Sequence, residues 1–281
     1  MHSIHLYTSD KESGSILCIN LHHLELIRLC RHLPNVTSPL AAERAIQLTA
    51  SLIDLARIET DTSVWPAPLV HVPKTEKRPT ICFDEWNVWD PIRAPGNLGA
   101  EEAYDLSDAL AVGVWLNVFV RQSQYLGMCN IAQSINVISP LMTTDTGIVK
   151  QTTYWPLLLF SKYMRGKTLA VNVRCGEWKG SRTCPDWLRS TVRTPWLDVS
   201  ATLDSQGWIN LVVINISETQ DWCTKLSGVS SQTEVYVIGD SNSLRESNMK
   251  GGEIGIVQRS WSGCGSYTFP KHSLTLLRWQ V

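Results

Sequence analysis

The densest group of reactive side chains lies in Phe83-Asp84-Glu85-Trp86-Asn87-Val88-Trp89, directly after Thr80-Ile81-Cys82. A short unbroken apolar run such as residues 80–83 is typical of a strand buried in a parallel sheet. The carboxyl ends of parallel strands line the active face of α/β folds, so the two carboxylates are predicted to lie there. Neighbouring side chains on a strand point to opposite faces. We therefore expect one carboxylate to enter a cavity and the other to support its wall.

Two interpretations of this motif remain open on pattern alone. Indole faces stack on apolar sugar faces and amides hydrogen-bond hydroxyl groups, so tryptophan and asparagine beside an acid suit a carbohydrate site. The alternative is a salt-bridged strand end whose tryptophans belong to the hydrophobic core.

The first part of the chain alternates between helical and strand patterns. Residues 42–56 repeat apolar side chains at the spacing i, i+3, i+4 and predict a helix that ends near Glu59. Asp105 or Ser107 can cap a second helix that continues to about Gln122. A strand at 128–132 and a helix at 154–164 follow. This alternation indicates an α/β layer or barrel.

The pattern changes after Gly166, where short β-type runs are separated by glycine-containing turns. Several of these runs alternate apolar and polar residues, as expected for a half-exposed antiparallel sheet. A β-sandwich of roughly 100 residues is the simplest interpretation. The sequence therefore predicts two parts, residues 1–165 and residues 166–281.

Composition excludes several classes of partner and cofactor. The chain has 25 Lys+Arg against 26 Asp+Glu, a formal net charge of -1, so we expect no nucleic-acid partner. No apolar run approaches the roughly 18 residues of a spanning helix, so we expect no membrane partner. The 8 cysteines include no C-x-x-C pair. We expect neither a metal ion nor an organic cofactor.

Several segments of the chain resemble segments of the α-L-arabinofuranosidases of glycoside hydrolase family 51 and occur in the same order. Residues 83–89 resemble the strand that carries the catalytic nucleophile in that family. The others are 3–7 (SIHLY), 40–46 (LAAERAI), 104–110 (YDLSDAL), 130–137 (NIAQSINV), 151–156 (QTTYWP) and 269–273 (FPKHS). The resemblance covers most of the chain. It implies the C-terminal part of a (β/α)8 barrel, strands six to eight, in residues 1–165, followed by an antiparallel β-sandwich in residues 166–281.

The resemblance also implies a retaining hydrolase that releases terminal α-L-arabinofuranosyl groups from plant polysaccharides such as arabinan and arabinoxylan, or from their oligosaccharides. Glu85 matches the catalytic nucleophile, which works with a second carboxyl about 5–5.5 Å away. Tyr7 matches a tyrosine that hydrogen-bonds the nucleophile, and Gln133 matches a glutamine that binds sugar hydroxyls. Without the resemblance, Tyr7 and Gln133 would be ordinary polar residues at strand ends.

The remaining polar and aromatic residues of the motif receive secondary roles. Trp89 is predicted to form a wall of the sugar site. Asp84 is assigned to support on the opposite strand face, because a second buried carboxylate in the cavity would oppose ionisation of Glu85. Asn87 is also assigned a supporting role.

The sequence departs from the family in two respects. A complete barrel takes about 250 residues and a sandwich roughly 100 more, so 281 residues cannot hold both. The family's general acid/base is a Glu that follows Asn, and the chain contains no Asn-Glu dipeptide. The resemblance therefore implies a truncated and impaired enzyme. Residues 13–34 are apolar where the family has a short polar loop, and they are either an inserted helix or translated non-coding sequence.

Two functions consequently remain open. The first is the glycosidase, and the second is a non-catalytic fragment or carbohydrate-binding β-sandwich protein. Residues 1–7 do not resemble a signal peptide, and neither a secreted nor a cytoplasmic parent enzyme is excluded. The family often forms oligomers, so a homo-oligomeric parent enzyme is compatible with the resemblance.

Overall fold

A computed structural model describes residues 2–8, 32–62, 78–89, 101–179, 193–230, 232–240, 242–263 and 265–281, with only the backbone described for 2–8 and 59–62. None of the helices in these ranges is long and apolar enough to cross a bilayer. The helices are α1 (His32–Thr37), α2 (Pro39–Thr62), α3 (Leu106–Arg121) and α4 (Tyr154–Tyr163).

A three-stranded parallel sheet occupies the first part of the chain, in the order β1 (His2–Thr8), β2 (Ile81–Val88), β3 (Leu126–Ile131). The predicted strands at 80–83 and 128–132 therefore exist as β2 and β3. The segment between β3 and α4 contains a hairpin that the sequence did not predict, β4 (Leu141–Thr144) and β5 (Gly147–Lys150). Its strands are mostly exposed and have four residues each, so they lack a clear hydrophobic pattern.

Helix α3 lies at the centre of the molecule. Its N-cap is Asp105, whose side chain accepts a hydrogen bond from the Asp108 N–H at 3.2 Å, while the Asp108 carboxylate accepts one from the Asp105 N–H at 2.9 Å. This reciprocal capping box confirms the predicted helix start. A side chain at Gly113 would place its Cβ 2.8 Å from methyl carbons of Ile214 and Leu274. The missing side chain thus allows α3 to approach the antiparallel sheet closely.

The second part of the chain forms a six-stranded antiparallel sheet in the order β11-β10-β13-β8-β7-β6. Its strands are β6 (Lys167–Leu169), β7 (Leu197–Leu203), β8 (Trp208–Asn215), β10 (Thr233–Ile238), β11 (Val257–Trp261) and β13 (Ser273–Gln280). A separate pair, β9 (Trp222–Lys225) and β12 (Ser266–Phe269), forms the outer layer.

The central strands of this sheet are buried on both faces, and the expectation of half-exposed strands is wrong for them. Val212, Ile214 and Leu276 belong to the hydrophobic core that contains α3. Leu211 and Leu277 belong to a second core, which includes residues of the β9–β12 pair. The sheet is therefore covered by a helix on one side and by a small sheet on the other, which explains the continuous apolar run in β8.

The two parts share their main hydrophobic core. Phe83 of β2, Leu110 of α3 and Leu276 of β13 belong to the same buried cluster. We retain the division into residues 1–165 and 166–281 as a proposal, since α4 ends at Tyr163 and β6 begins at Lys167. The common core implies that the two parts stabilise each other.

Candidate active site

Strand β2 contains one extra residue within the acidic motif. From Cys82 to Glu85 the strand advances three residues while β1 advances two. From Phe83 to Trp86 it again advances three while β3 advances two. One β-bulge around Asp84 and Glu85 explains both of these shifts in strand register. Bulges of this kind redirect side chains and are frequent beside active sites.

The rings on either side of the bulge show its effect. The Phe83 ring centroid lies 5.6 Å from that of Trp115 and 5.2 Å from that of Phe119, both on α3. The Trp86 ring lies 5.8 Å and 5.1 Å from the same two rings. Residues three apart on a regular strand would face opposite sides of the sheet. The strict alternation expected across the two carboxylates is therefore wrong.

The predicted site residues lie at the carboxyl edge of the parallel sheet. Glu85 is half-buried near the end of β2, and Trp89, one residue beyond the strand, has 38% of its surface exposed. Gln133 follows β3 by two residues and is exposed. Tyr7 lies in β1 opposite Asn87 in the strand register, and its side chain is outside the described atoms. Topology thus gathers these residues at one edge, and their roles stay predictions.

Asn87 connects β2 to the loop that follows β3. It is fully buried; its side-chain amide donates to the Ile138 carbonyl, and its side-chain oxygen accepts from the Val88 N–H at 2.8 Å. The loop is unusual because Asn136 and Ile138 have φ angles of 66° and 38°. A β-branched residue at positive φ is uncommon and strained. Asn87 is therefore placed to hold a strained loop against β2, and its supporting role at the candidate site stays a prediction.

Tyr104 and Gln151 fix the segment that follows the motif. The buried Tyr104 hydroxyl donates to the Val88 carbonyl at 2.6 Å. The Gln151 side-chain oxygen accepts from the Tyr104 N–H at 2.8 Å, and its amide donates to the carbonyls of Glu102 at 3.0 Å and Ser139 at 2.8 Å. One buried amide therefore joins the loops that follow β2 and β3. Sequence reasoning included Gln151 only within a matching segment and did not foresee this bridge.

A loop of the antiparallel sheet covers the start of α3. The N–H groups of Leu106 and Ser107 donate to the carbonyls of Glu246 at 3.1 Å and Leu244 at 3.2 Å. The Arg245 guanidinium donates to the Asp105 carboxylate at 3.0 Å. The β10–β11 connection thus provides acceptors for backbone N–H groups of the first helical turn, which have no acceptor within the helix. In this way the second part of the chain orients the helix that packs beneath the motif.

His32 is a buried residue that belongs to no sequence motif. Its Nε2–H donates to the Ile216 carbonyl at 3.1 Å, so in the neutral ring Nδ1 accepts from the Ser107 hydroxyl at 2.8 Å. It lies within the apolar segment 13–34, of which residues 13–31 lie outside the described residues. Residues 32–34 begin α1, which packs against α3. The end of that segment is therefore part of the folded core.

Burial of His32 predicts acid sensitivity. Burial lowers the pKa of His32 to about 3, and Arg245 and His272 add smaller lowering effects. The Ile216 carbonyl and Asp108 raise this pKa, but they do not outweigh burial. The unfolded chain therefore binds the proton first, and folding stability falls as pH drops below about 6.5, by up to about 1.4 kcal/mol per pH unit. We expect the stability advantage of the wild type over His32→Gln to shrink by about 2 kcal/mol from pH 7 to pH 5. Urea unfolding at both pH values measures this, and a constant difference would contradict it.

Within the described ranges, no three His, Cys, Asp or Glu side chains are grouped so that they could hold a metal ion. The arrangement that the structure does contain is a carboxylate-bearing parallel strand, a neighbouring strand end with an exposed amide, and a tryptophan beside them. A carboxylate at such an edge can act as nucleophile or proton carrier on a sugar, with the indole as a stacking surface.

The described residues thus join a parallel sheet with an acidic strand end to an antiparallel sheet. Residues 84–273 match the family model described as the alpha-L-arabinofuranosidase C-terminal domain, and the chain belongs to this family. The match begins at the acidic motif and extends through both parts of the fold.

Known relatives agree with this assignment. The chain is 56% identical over 282 residues to the probable alpha-L-arabinofuranosidase C of Aspergillus clavatus, covering 100% of this chain and 50% of that protein. The chain spans about half the length of the curated relatives it matches.

Solved structures of family 51 share the fold. The alpha-L-arabinofuranosidase of Thermotoga maritima, solved in an arabinose complex, superposes with a TM-score of 0.73 at 18% identity, covering 99% of this chain and 52% of that one. A family 51 alpha-L-arabinofuranosidase from Bifidobacterium longum gives 0.73 at 16% identity with the same coverage. The predicted fold class, a C-terminal barrel portion followed by an antiparallel β-domain, is confirmed.

Proposed function

We propose that this chain forms the nucleophile-bearing half of a retaining α-L-arabinofuranosidase, with Glu85 as the nucleophile. The supporting observation is the position of Glu85, a half-buried carboxylate near the carboxyl end of a parallel strand. Its neighbours are β1, which carries Tyr7, and β3, which ends two residues before Gln133. The proposed substrates are terminal arabinofuranosyl groups of arabinan, arabinoxylan or their oligosaccharides. The name of the Aspergillus clavatus relative, a probable alpha-L-arabinofuranosidase, supports the arabinofuranosyl group.

In the proposed reaction, a Glu85 carboxylate oxygen forms a bond to the anomeric carbon while the bond from that carbon to the leaving oxygen breaks. A second carboxyl about 5–5.5 Å away donates a proton to the leaving oxygen and later activates water. No Asn-Glu dipeptide supplies this group as it does in the family. We therefore propose that this chain alone hydrolyses unactivated arabinosides slowly, because loss of either carboxyl removes several kcal/mol of transition-state stabilisation.

A donor with an activated leaving group separates the role of Glu85 from that of the missing acid. A 2,4-dinitrophenyl 2-deoxy-2-fluoro-α-L-arabinofuranoside expels a phenolate that needs no proton, and the fluorine slows hydrolysis of the glycosyl-enzyme. We expect the wild-type chain to gain one fluorosugar mass on the peptide that contains Glu85. Mass spectrometry of the intact chain and of its peptides measures this.

Glu101→Gln serves as the matched control, since this carboxylate is exposed. The control should be labelled like the wild type, and Glu85→Gln should not be labelled. A folded wild-type chain that acquires no label, or a label located on another residue, would refute the assignment of Glu85.

The alternative of a carbohydrate-binding β-sandwich receives less support. Sugar-binding sheets present an open face, whereas the central strands β8 and β13 are covered on both sides by the two hydrophobic cores. If this alternative were correct, arabino-oligosaccharide binding would persist in the Glu85→Gln and Trp89→Ala variants.

A further inference from the structure

An apolar groove lies on the helix-facing side of the parallel sheet, between β3, β6 and the carboxyl ends of α3 and α4. Its volume is about 660 Å³, within the roughly 300–1,000 Å³ of cavities that bind ligands. Apolar side chains form most of its wall, among them those of Trp86, Phe119, Phe160 and Met164. Lys167 is the one charged residue among the described residues that line it. The groove is therefore suited to apolar side chains.

The buried polar groups of the wall indicate what an occupant has to supply. Trp86 is 2% exposed, and its indole N–H has no acceptor among the described residues. Buried donors normally have a hydrogen-bond partner. Burial, with a smaller effect of Cys82, raises the pKa of Cys129 to about 12, so the thiol in the wall is uncharged at neutral pH. One neutral acceptor, such as a backbone carbonyl, would satisfy Trp86 without bringing a charge into the groove.

The edge strands of both main sheets border the groove. In the described part of the chain, β3 is the last strand of the parallel sheet and pairs with β2 alone. Among the same residues, β6 is the last strand of the six-stranded sheet and pairs with β7 alone. Cys129 of β3 and Thr168 of β6 both line the groove. Edge strands present unpaired backbone groups to which an extended polypeptide can add, so the site favours a polypeptide over a small apolar molecule.

The length of the relatives indicates the source of such a polypeptide. The alignment with the Aspergillus clavatus relative covers 100% of this chain but 50% of that protein. We propose that the groove and the free edge of β3 bind an extended, apolar segment from a polypeptide that corresponds to the unmatched half of these relatives. This inference does not depend on the role of Glu85.

In the proposed complex, the segment adds to β3 as the next strand of the parallel sheet. Its backbone pairs with the edge of β3, and one of its carbonyls accepts from the Trp86 indole N–H. Its apolar side chains fill the groove, where they remove the surrounding apolar surface from water. Met128 of β3 is 47% exposed, and a neighbouring strand would cover it as well. The same segment thus satisfies the strand edge, the indole and the apolar wall.

Co-expression with the unmatched part of the Aspergillus clavatus relative, as a separate chain, tests the proposal. We expect native mass spectrometry to show a complex with one copy of each chain. In this complex the backbone amides on the free side of β3 should exchange with deuterium at least about tenfold more slowly than in the chain alone, because the added strand supplies acceptors. The amides of β11, at the opposite edge of the six-stranded sheet, should exchange at an unchanged rate. Absence of a complex, or a complex with unchanged exchange in β3, would overturn the proposal.

Gln124→Trp blocks the groove at its surface, since Gln124 is exposed and lines it. The indole occupies space that the segment needs, so we expect the yield of complex to fall at least about tenfold. Gln258→Trp is the matched control, because Gln258 is exposed on β11, and it should leave the yield unchanged. Equal yields from the two folded variants would overturn the proposal. If Gln124→Trp fails to fold, the exchange rates of the wild-type complex decide.

A second copy of the chain is the competing occupant of the groove. Size-exclusion chromatography with light scattering, combined with deuterium exchange of the chain alone, distinguishes the two. A monomer whose free β3 amides exchange rapidly would support the proposal. A homodimer in which these amides are already protected, and which persists beside the co-expressed chain, would contradict it.

Discussion

Replacing Arg121 with methionine is expected to lower the free energy of unfolding by about 3–5 kcal/mol, because it leaves two carboxylates inside the structure without their cation. Arg121 donates two hydrogen bonds of 2.8 Å to Glu43 of α2. It also contacts Asp198 of β7 at 3.1 Å. One guanidinium therefore joins three elements, α2, α3 and β7.

The cost is large because the acids are shielded from water. The side chains of Glu43 and Asp198 are only 18% and 4% exposed. Burial alone would lower the pKa of Arg121, but Asp198 and Glu43 outweigh this effect and hold that pKa above its ordinary value. Burial raises the pKa of Asp198 above its ordinary value, although Arg121 and Asn117 act to lower it. Asn117 supplies a further hydrogen bond to Asp198 at 2.7 Å.

Urea unfolding of the full chain measures this prediction, with Arg193→Met as the matched control. Arg193 also pairs with a glutamate, Glu177, but its side chain is 80% exposed. Its replacement should cost less than about 1 kcal/mol. Adding Asp198→Asn to Arg121→Met should restore part of the lost stability by removing one uncompensated charge. Equal effects of the two arginine substitutions would show that the buried network contributes no more than a surface ion pair.

Replacing Gln151 with leucine is expected to cost about 3–4 kcal/mol of unfolding free energy. Leucine has nearly the same volume but cannot bond the Tyr104 N–H or the carbonyls of Glu102 and Ser139, which the Gln151 amide joins. Gln151 itself has no exposed surface. Each buried backbone group left without a partner costs about 1–3 kcal/mol, and the apolar side chain offsets part of the sum.

The matched control is Gln258→Leu, at an exposed position of strand β11. That substitution should change the free energy of unfolding by no more than about 0.5 kcal/mol. Equilibrium unfolding in urea compares both variants with the wild type. A loss of unfolding free energy below about 1 kcal/mol in Gln151→Leu would contradict this prediction. It would mean that water replaces the lost hydrogen bonds and that the Gln151 amide is not needed to join the two loops.

Helix prediction succeeded where local chemistry and periodicity acted together. The repeat in residues 42–56 predicted most of α2 (Pro39–Thr62). The start of α3 was predicted at Asp105 or Ser107, and Asp105 is the capping residue. These features depend on residues within one or two helical turns, so they are visible in a linear sequence. The short outer strands β9 and β12 were missed, since four-residue strands carry too little periodic signal.

The sequence by itself determined the α/β first part, the β-rich second part and the motif that ends at Trp89, because burial imposes a characteristic spacing on helices and strands. Only the tertiary structure revealed the bulge at Asp84 and Glu85, since a bulge is defined by the register against neighbouring strands. It also decided the roles of His32, Arg121 and Gln151. The partners of His32 and Arg121 include residues 184 and 77 positions away along the chain. Such pairings depend on how elements pack, and no local pattern records them.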